Sequence, residues 1–327
     1  MLNPFSALSQ SKEKKEERES IFVYLNNFDS LSVKLEFELD SLLEHRMESK
    51  EYEGWFSAYS GDSLLVQLTV KVSARGRFRR KKCDYPPLKL NFPKGQLKNL
   101  GFSKSDDYKL VTHCLKSRAG PRVLAKEHLV YQMFSMLTDA SYGTKLFEIS
   151  YLDLTSGNEV ESIAFMIESN EELAERQGGE WCKCMGTTAE DIDPDRLELV
   201  SLFQFMIGNR DMDIQTEHNV RFLKREGEKL FPYPYDYDFS IFVKAPYAYV
   251  STLNFQPRLY LGSRKNSALI PDITKRLIAL RKPYYDLIKG NQIITKSDRK
   301  WCLKYLKSFY TKAAKKNFRL PYSSDKP

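Results

Sequence analysis

The chain has 327 residues, 42% hydrophobic and 13% aromatic, which is enough for one large bilobal domain or two smaller ones with packed cores. No apolar run approaches the ~20 residues of a membrane helix, and the opening MLNPFSALSQSKEKKEERES lacks the apolar stretch of a secretory signal. Unless a leader has been removed, a cytoplasmic place is the default expectation, and a net charge of +8 favours anionic partners.

In chain order, residues 1–20 form a charged tail, with 9–20 expected as a frayed helix or solvated segment. The stretches LSVKLEFEL (31–39) and SLLVQLTVKV (63–72) alternate with period two, as half-buried strands do. So does PPLKLNF (86–92), with Leu88, Leu90 and Phe92 on one face and Lys89 on the other. The connection SARGRFRRKK (73–82) sets Arg75, Gly76 and Arg77 where a backbone can approach phosphates; an exposed basic hairpin tip is the alternative. YKLVTHCL (108–115) predicts a further strand, and the same sheet continues in KLFEISYLDL and VESIAFMIE around the turn TSGNE.

Between them, 121–138 predicts a helix on which Leu124, Glu127, Tyr131 and Phe134 share one stripe. A carboxylate inside an apolar stripe needs a partner. Lys89 is the expected one, with Arg118, Arg122 and Lys126 as local alternatives. After a polar stretch at 168–190, DIDPDRLELVSLFQFMIGN predicts a helix capped by Asp193, opened by Pro194 and stopped by Gly208. The reading is a β-rich part at 21–168 and a helical part with one small hairpin at 169–327. The basic tail carries Trp301, Tyr305, Phe309 and Tyr310 among its lysines. An amphipathic helix packing its aromatics inward is expected there, a nucleic-acid surface being the other reading.

Five cysteines show no zinc-finger spacing. A Cys83–Cys114 bridge suits an oxidising compartment; buried free thiols are the expected state.

Two acidic clusters flank the hairpin: Asp211 and Asp213 before it, Asp236 and Asp238 after it. With NVRFLK and KLFPYPY as strands and REGE (225–228) as the turn, Asn219 faces Pro234 and Asp236 follows at the open end. An amide oxygen with several carboxylates is a hard-oxygen set suited to Mg²⁺, or Mn²⁺, that also contacts phosphate. Turn chemistry alone also favours Asp and Asn at such places.

The order of RG-containing basic loop, KKCDYPPLKL, helix with internal Glu, GNRDMD…HN and YPYDYDF resembles the spore-coat-protein H (CotH)-type kinases. It resembles more closely still a group of bacterial proteins with the same RG-FRR-C-PPL arrangement. The resemblance spans about residues 64–245 and is most specific at 207–219 and 234–239. It implies an α+β, bilobal protein-kinase-like fold that transfers the γ-phosphoryl group of ATP to a protein hydroxyl with Mg²⁺. Carried over, Asp211 is the base, with Asp213 as alternative; Asn219, Asp236 and Asp238 hold metal; Lys89 binds phosphate with Glu127 as its helix partner. The backbone near Glu168 would meet adenine. The chain departs from the kinase pattern in three ways. Base and metal Asn are eight residues apart instead of five, Asn209 replaces the loop histidine, and the glycine-rich loop is thin.

Overall fold

The computed structural model describes residues 18–248, 258–315 and 318–322, so most of the predicted frayed segment at 9–20 lies outside the described residues. The architecture is mixed α and β. Seven strands account for the β-rich half: β1 (Ser32–Phe37), β2 (Tyr52–Ser60), β3 (Ser63–Ala74), β4 (Leu88–Asn91), β5 (Asp107–Val111), β6 (Thr144–Asp153) and β7 (Glu159–Ile167). Six of them follow the alternation in the sequence. The exception is β2, whose EGWFSAYS carries Gly, Ser and Ala where strand propensity is poor. Tertiary contact selects its glycine: a Cβ on Gly54 would run into the Glu36 carbonyl of β1.

These strands close into a barrel in the order β1-β2-β3-β4-β5-β7-β6, which corrects the expectation of a sheet with basic connections. Closure comes from β6, which runs parallel to β1 with Ser32 beside Glu148 and Phe37 beside Asp153. The inward residues, among them Leu35, Phe56, Leu68, Leu90, Phe92 and Tyr108, are fully buried and form one core. Short helices α1 (Ile21–Asn26), α2 (Leu39–Glu44), α3 (Arg79–Lys82) and α4 (Lys94–Asn99) decorate the barrel. The fifth, α5 (Ala119–Leu137), is buried on nearly every side, as a helix between two packed bodies must be.

The second core gathers α5, the ends of β5 and β7, and the rest of the chain. It contains α6 (Asn170–Gln177), α7 (Pro194–Ile207), α8 (Ile270–Ala279), α9 (Arg281–Gly290) and α10 (Lys296–Ala313), with β8 (Glu180–Cys182), β9 (Val220–Lys224) and β10 (Phe231–Pro234) as a small sheet. Local signals hold for α7. Asp193 accepts from the Arg196 N–H at 3.0 Å, Pro194 opens the helix, and Gly208 ends it at φ 68°. On α10, Tyr305, Phe309 and Tyr310 are buried, so these aromatics pack inward. No helix among the described residues is long and apolar enough to cross a membrane.

Two expectations are corrected here. The hairpin register is one residue off: Val220 faces Pro234 and Tyr233 faces Arg221, which sets Asn219 opposite Tyr235. The turn is longer than REGE because Gly227 adopts φ 72°. Cys83 and Cys114 are joined as a disulfide, their Cα atoms 4.6 Å apart, instead of remaining free. An isolated bridge between Tyr85 and Cys114 aligns the two segments. Cys302 is a buried free thiol.

Candidate functional site

The site begins where α7 stops. The left-handed Gly208 turns the chain, and the buried Asn209 side chain accepts the Asp211 N–H at 3.1 Å. A small closed loop follows. Asp213 and His218 exchange backbone hydrogen bonds of 3.0 and 2.9 Å, and Asp213 Oδ1 accepts from the Gln215 and Thr216 N–H groups at 2.8 and 3.1 Å. This loop absorbs the extra residues between Asp211 and Asn219. Asn219, at φ 53°, returns to Asp211 and donates from Nδ2 to its carbonyl (2.7 Å) and to Oδ2 (2.9 Å). His218 Nε2 lies 3.2 Å from Asp211 Oδ1. Asp213 therefore shapes the loop, and the oriented carboxylate is that of Asp211.

The hairpin carries the chain to the second cluster. The Tyr235 N–H donates to the Asn219 carbonyl at 3.1 Å, so Asp236 is the next residue beyond the last rung. Asp236 sits at φ 63°, a left-handed conformation rare for a non-glycine residue, and its N–H donates to Tyr131 Oη of α5 at 2.9 Å. Asp238 is buried two residues further on. One carboxylate oxygen each from Glu127, Asp236 and Asp238 falls within a 4.8 Å span. Such a set suits a hard divalent cation. With Nδ2 engaged on Asp211, Asn219 has Oδ1 as its remaining ligand atom.

Arg79 of α3 runs through this cluster. Its Nη2 pairs with Glu127 Oε1 at 3.0 Å and with Asp236 Oδ1, and its Nε lies 2.9 Å from Asp238 Oδ2. Burial pushes the Glu127 and Asp238 carboxyls up, the other carboxylates add to that, and Arg79 opposes it.

The expected Lys89–Glu127 pair does not form. Lys89 is directed to Asp107 at 2.9 Å and is 40% exposed; Glu127 takes Arg79, whose planar fork can serve several carboxylates at once. The lysine nearer the cluster is Lys109, which is directly opposite Lys89 across β4 and β5 and therefore on the same sheet face. Burial, then Arg75 and Arg221, push its ammonium down to about 7, while Asp236 favours its charged form. Its Nζ lies 4.8 Å from the ring centre of Tyr235 and 5.4 Å from that of Tyr142. Two signals were available in the sequence: a lysine between buried Tyr108 and Leu110, on the strand immediately before the Glu-bearing helix. Arg79 carried no such signal, because its helix is one turn long and reads as a basic loop.

Of the other expected residues, Arg75 is half-buried near Lys109, whereas Gly76 (φ 80°) and Arg77 are exposed at the tip. Glu168 is a structural clamp. Its carboxylate accepts from Arg176 at 2.9 and 2.8 Å and from the Gly143 N–H at 2.8 Å, and its own N–H donates to the Gly143 carbonyl. An adenine contact at this position can use neither its side chain nor its N–H.

No protein-family model matches the chain, and no curated protein sequence matches it. Among solved structures it is similar to the crystal structure of a Helicobacter pylori proinflammatory kinase, CtkA, at 11% identity and a TM-score of 0.41, over 69% of this chain and 94% of that one.

Proposed function

We propose that the chain is an ATP- and Mg²⁺-dependent phosphotransferase of the spore-coat-protein H type, acting on a protein hydroxyl. In this reading the barrel half, 21–168, holds nucleotide and 169–327 supplies base and metal ligands. The observation that carries it is the convergence of Asp236 and Asp238 with Glu127 beside the Asp211–Asn219 pair. Protein kinases need a lysine on the strand before the Glu-bearing helix, metal-holding Asp and Asn residues, and an Asp to take the proton of the acceptor hydroxyl. Lys109, Asp236 with Asp238 and Asn219, and Asp211 are the residues in those roles.

Bound Mg²⁺ supplies charge neutralisation for the polyphosphate. The chain does the rest. Lys109, Arg75 and Arg221 form a cationic wall for phosphate oxygens. Asn219 and His218 fix the Asp211 carboxylate, whose remaining lone pairs accept the proton of an incoming hydroxyl. The acceptor is an unidentified protein.

A second reading is a kinase-like module without catalysis that uses its basic surface for an anionic partner, nucleic acid or an acidic protein. Arg79 favours it, because its guanidinium already occupies the space among the carboxylates. One experiment separates the two. ATP with Mg²⁺ should raise the melting temperature of the purified chain, Asp236→Ala should remove the rise, and labelled γ-phosphate should appear on an acceptor protein or on the chain itself. Absence of both stabilisation and transfer, with salt-sensitive binding of random oligonucleotides unaffected by Asp236→Ala, rejects the enzyme in favour of the module.

A further inference from the structure

We infer that Glu127, Asp236 and Asp238 form one cation seat for which Arg79 and a divalent ion compete, so that Arg79 is a built-in plug the ion must displace. The inference rests on the proposed metal-dependent reaction and adds a third ligand, Glu127, and a competitor to it.

The charge balance points this way. Three carboxylates converge within a 4.8 Å span, and a single guanidinium, 7% exposed, touches all of them. A single guanidinium serves three carboxyl groups, and a divalent cation in its place brings them twice the charge. The fit is also imperfect in geometry. Asp238 Oδ2 is buried and accepts no hydrogen bond, although Arg79 Nε lies 2.9 Å away. The Tyr247 hydroxyl also bears on the Asp238 carboxylate, but Oδ2 itself, buried and without a well-aligned hydrogen bond, is a ligand position. The guanidinium spans the space between the carboxylates, so plug and ion exclude each other.

The plug is mounted to move. Arg79 belongs to a four-residue helix held at both ends: the Arg75 N–H donates to the Pro87 carbonyl at 2.8 Å, and Cys83 is bonded to Cys114. Between these anchors Gly76, Arg77 and Phe78 are exposed, Gly76 in the left-handed region. Phe78 rests edge-on against Phe239, ring centres 5.2 Å apart. The segment can lift without breaking a rung of the barrel, giving up only the long Arg80 hydrogen bonds, 3.3–3.4 Å, to the carbonyls of Arg46, Met47 and Glu48. Lifting uncovers Arg79 and Arg80, the buried and half-buried trypsin sites of the run RGRFRRKK.

The test uses the full chain and MnCl₂ alone, without nucleotide. Bound Mn²⁺ is counted by loss of the free-ion paramagnetic resonance signal, and tryptic cleavage after Arg79 and Arg80 is timed in parallel. Mn²⁺ should bind saturably, accelerate cleavage in that segment several-fold, and fail to bind Asp238→Asn. A plug seated about nine-tenths of the time lowers apparent affinity about tenfold, so Arg79→Met should tighten Mn²⁺ binding by roughly that factor. Arg79→Lys should fall between. Equal or weaker Mn²⁺ binding by Arg79→Met, or cleavage that Mn²⁺ slows or leaves unchanged, overturns the exchange. Should Arg79→Met fail to fold, the cleavage arm on the unaltered chain decides alone. Mn²⁺ exchange without phosphoryl transfer rejects only the kinase; transfer with Mn²⁺ affinity indifferent to Arg79 rejects only the plug.

Discussion

Lys109 illustrates how one side chain acquires chemistry from its surroundings. Its ammonium is pushed down to about 7 because it is buried beside Arg75 and Arg221. At pH 8 a group titrating near 7 is about one-tenth protonated, and a polyanion placed against it raises its affinity for a proton. Nucleotide binding at pH 8 should therefore take up about one proton, and the uptake should vanish in Lys109→Met; calorimetry in buffers of different ionisation enthalpy reads it. Unchanged uptake in the variant would remove Lys109 from the phosphate site. Asp211 has a separate signature. If Asp211 is the base as proposed, Asp211→Asn should lower the transfer rate about 10²-fold or more and leave ATP-induced thermal stabilisation in place, because that role meets the acceptor and not the nucleotide. Alternation singled out Lys89 in the sequence, whereas Lys109 sits on the strand immediately before α5. The choice between them depends on which lies beside the carboxylates, and no window of residues around either lysine contains that fact.

At the scale of elements, the 213–218 loop and the hairpin were legible to different degrees. Caps, stops and alternation act over a few residues, so α7 emerged with its Asp193 cap and Gly208 stop as read. The hairpin emerged too, but one residue out of register, because a left-handed Gly227 lengthens the turn. The eight-residue spacing from Asp211 to Asn219 looked like a departure from kinase chemistry. Folded, its extra residues form a loop closed by Asp213, and the amide still reaches the carboxylate. Asp213→Ala should thus cost about 1 kcal/mol through its two lost hydrogen bonds. It should also slow transfer, as read by denaturant titration and steady-state rates. A variant as fast as the parent would show that Asn219 is positioned some other way.

For the whole molecule, two long-range features set the stability. The Cys83–Cys114 bond closes a 31-residue span between the end of α3 and the strand leading into α5. Replacing both cysteines by serine should cost about 2–4 kcal/mol, and reductant should lower the melting temperature of the parent but not of that variant. The second feature is α5, whose residues pack in the core shared with the helical half while β6 and β7 of the barrel lie against it. Leu129, fully buried there, should cost about 2–5 kcal/mol as alanine. Because α5 serves both bodies, barrel and helical half should melt in one transition, which calorimetry against near-ultraviolet dichroism tests. Two resolved transitions would show that the halves are only loosely coupled.

By itself the sequence determined six of the seven barrel strands, the helices α5 and α7, the hairpin, and which residue types could hold a cation against phosphate. Periodicity, capping and turn chemistry are properties of neighbours along the chain. Only the tertiary structure decided that β6 closes a barrel on β1, that two cysteines pair, and that Arg79 lies among the carboxylates. Arg79 meets Glu127 across 48 residues and Asp236 across 157. Contacts of that range are fixed by how packed bodies fit together and leave no mark in local composition.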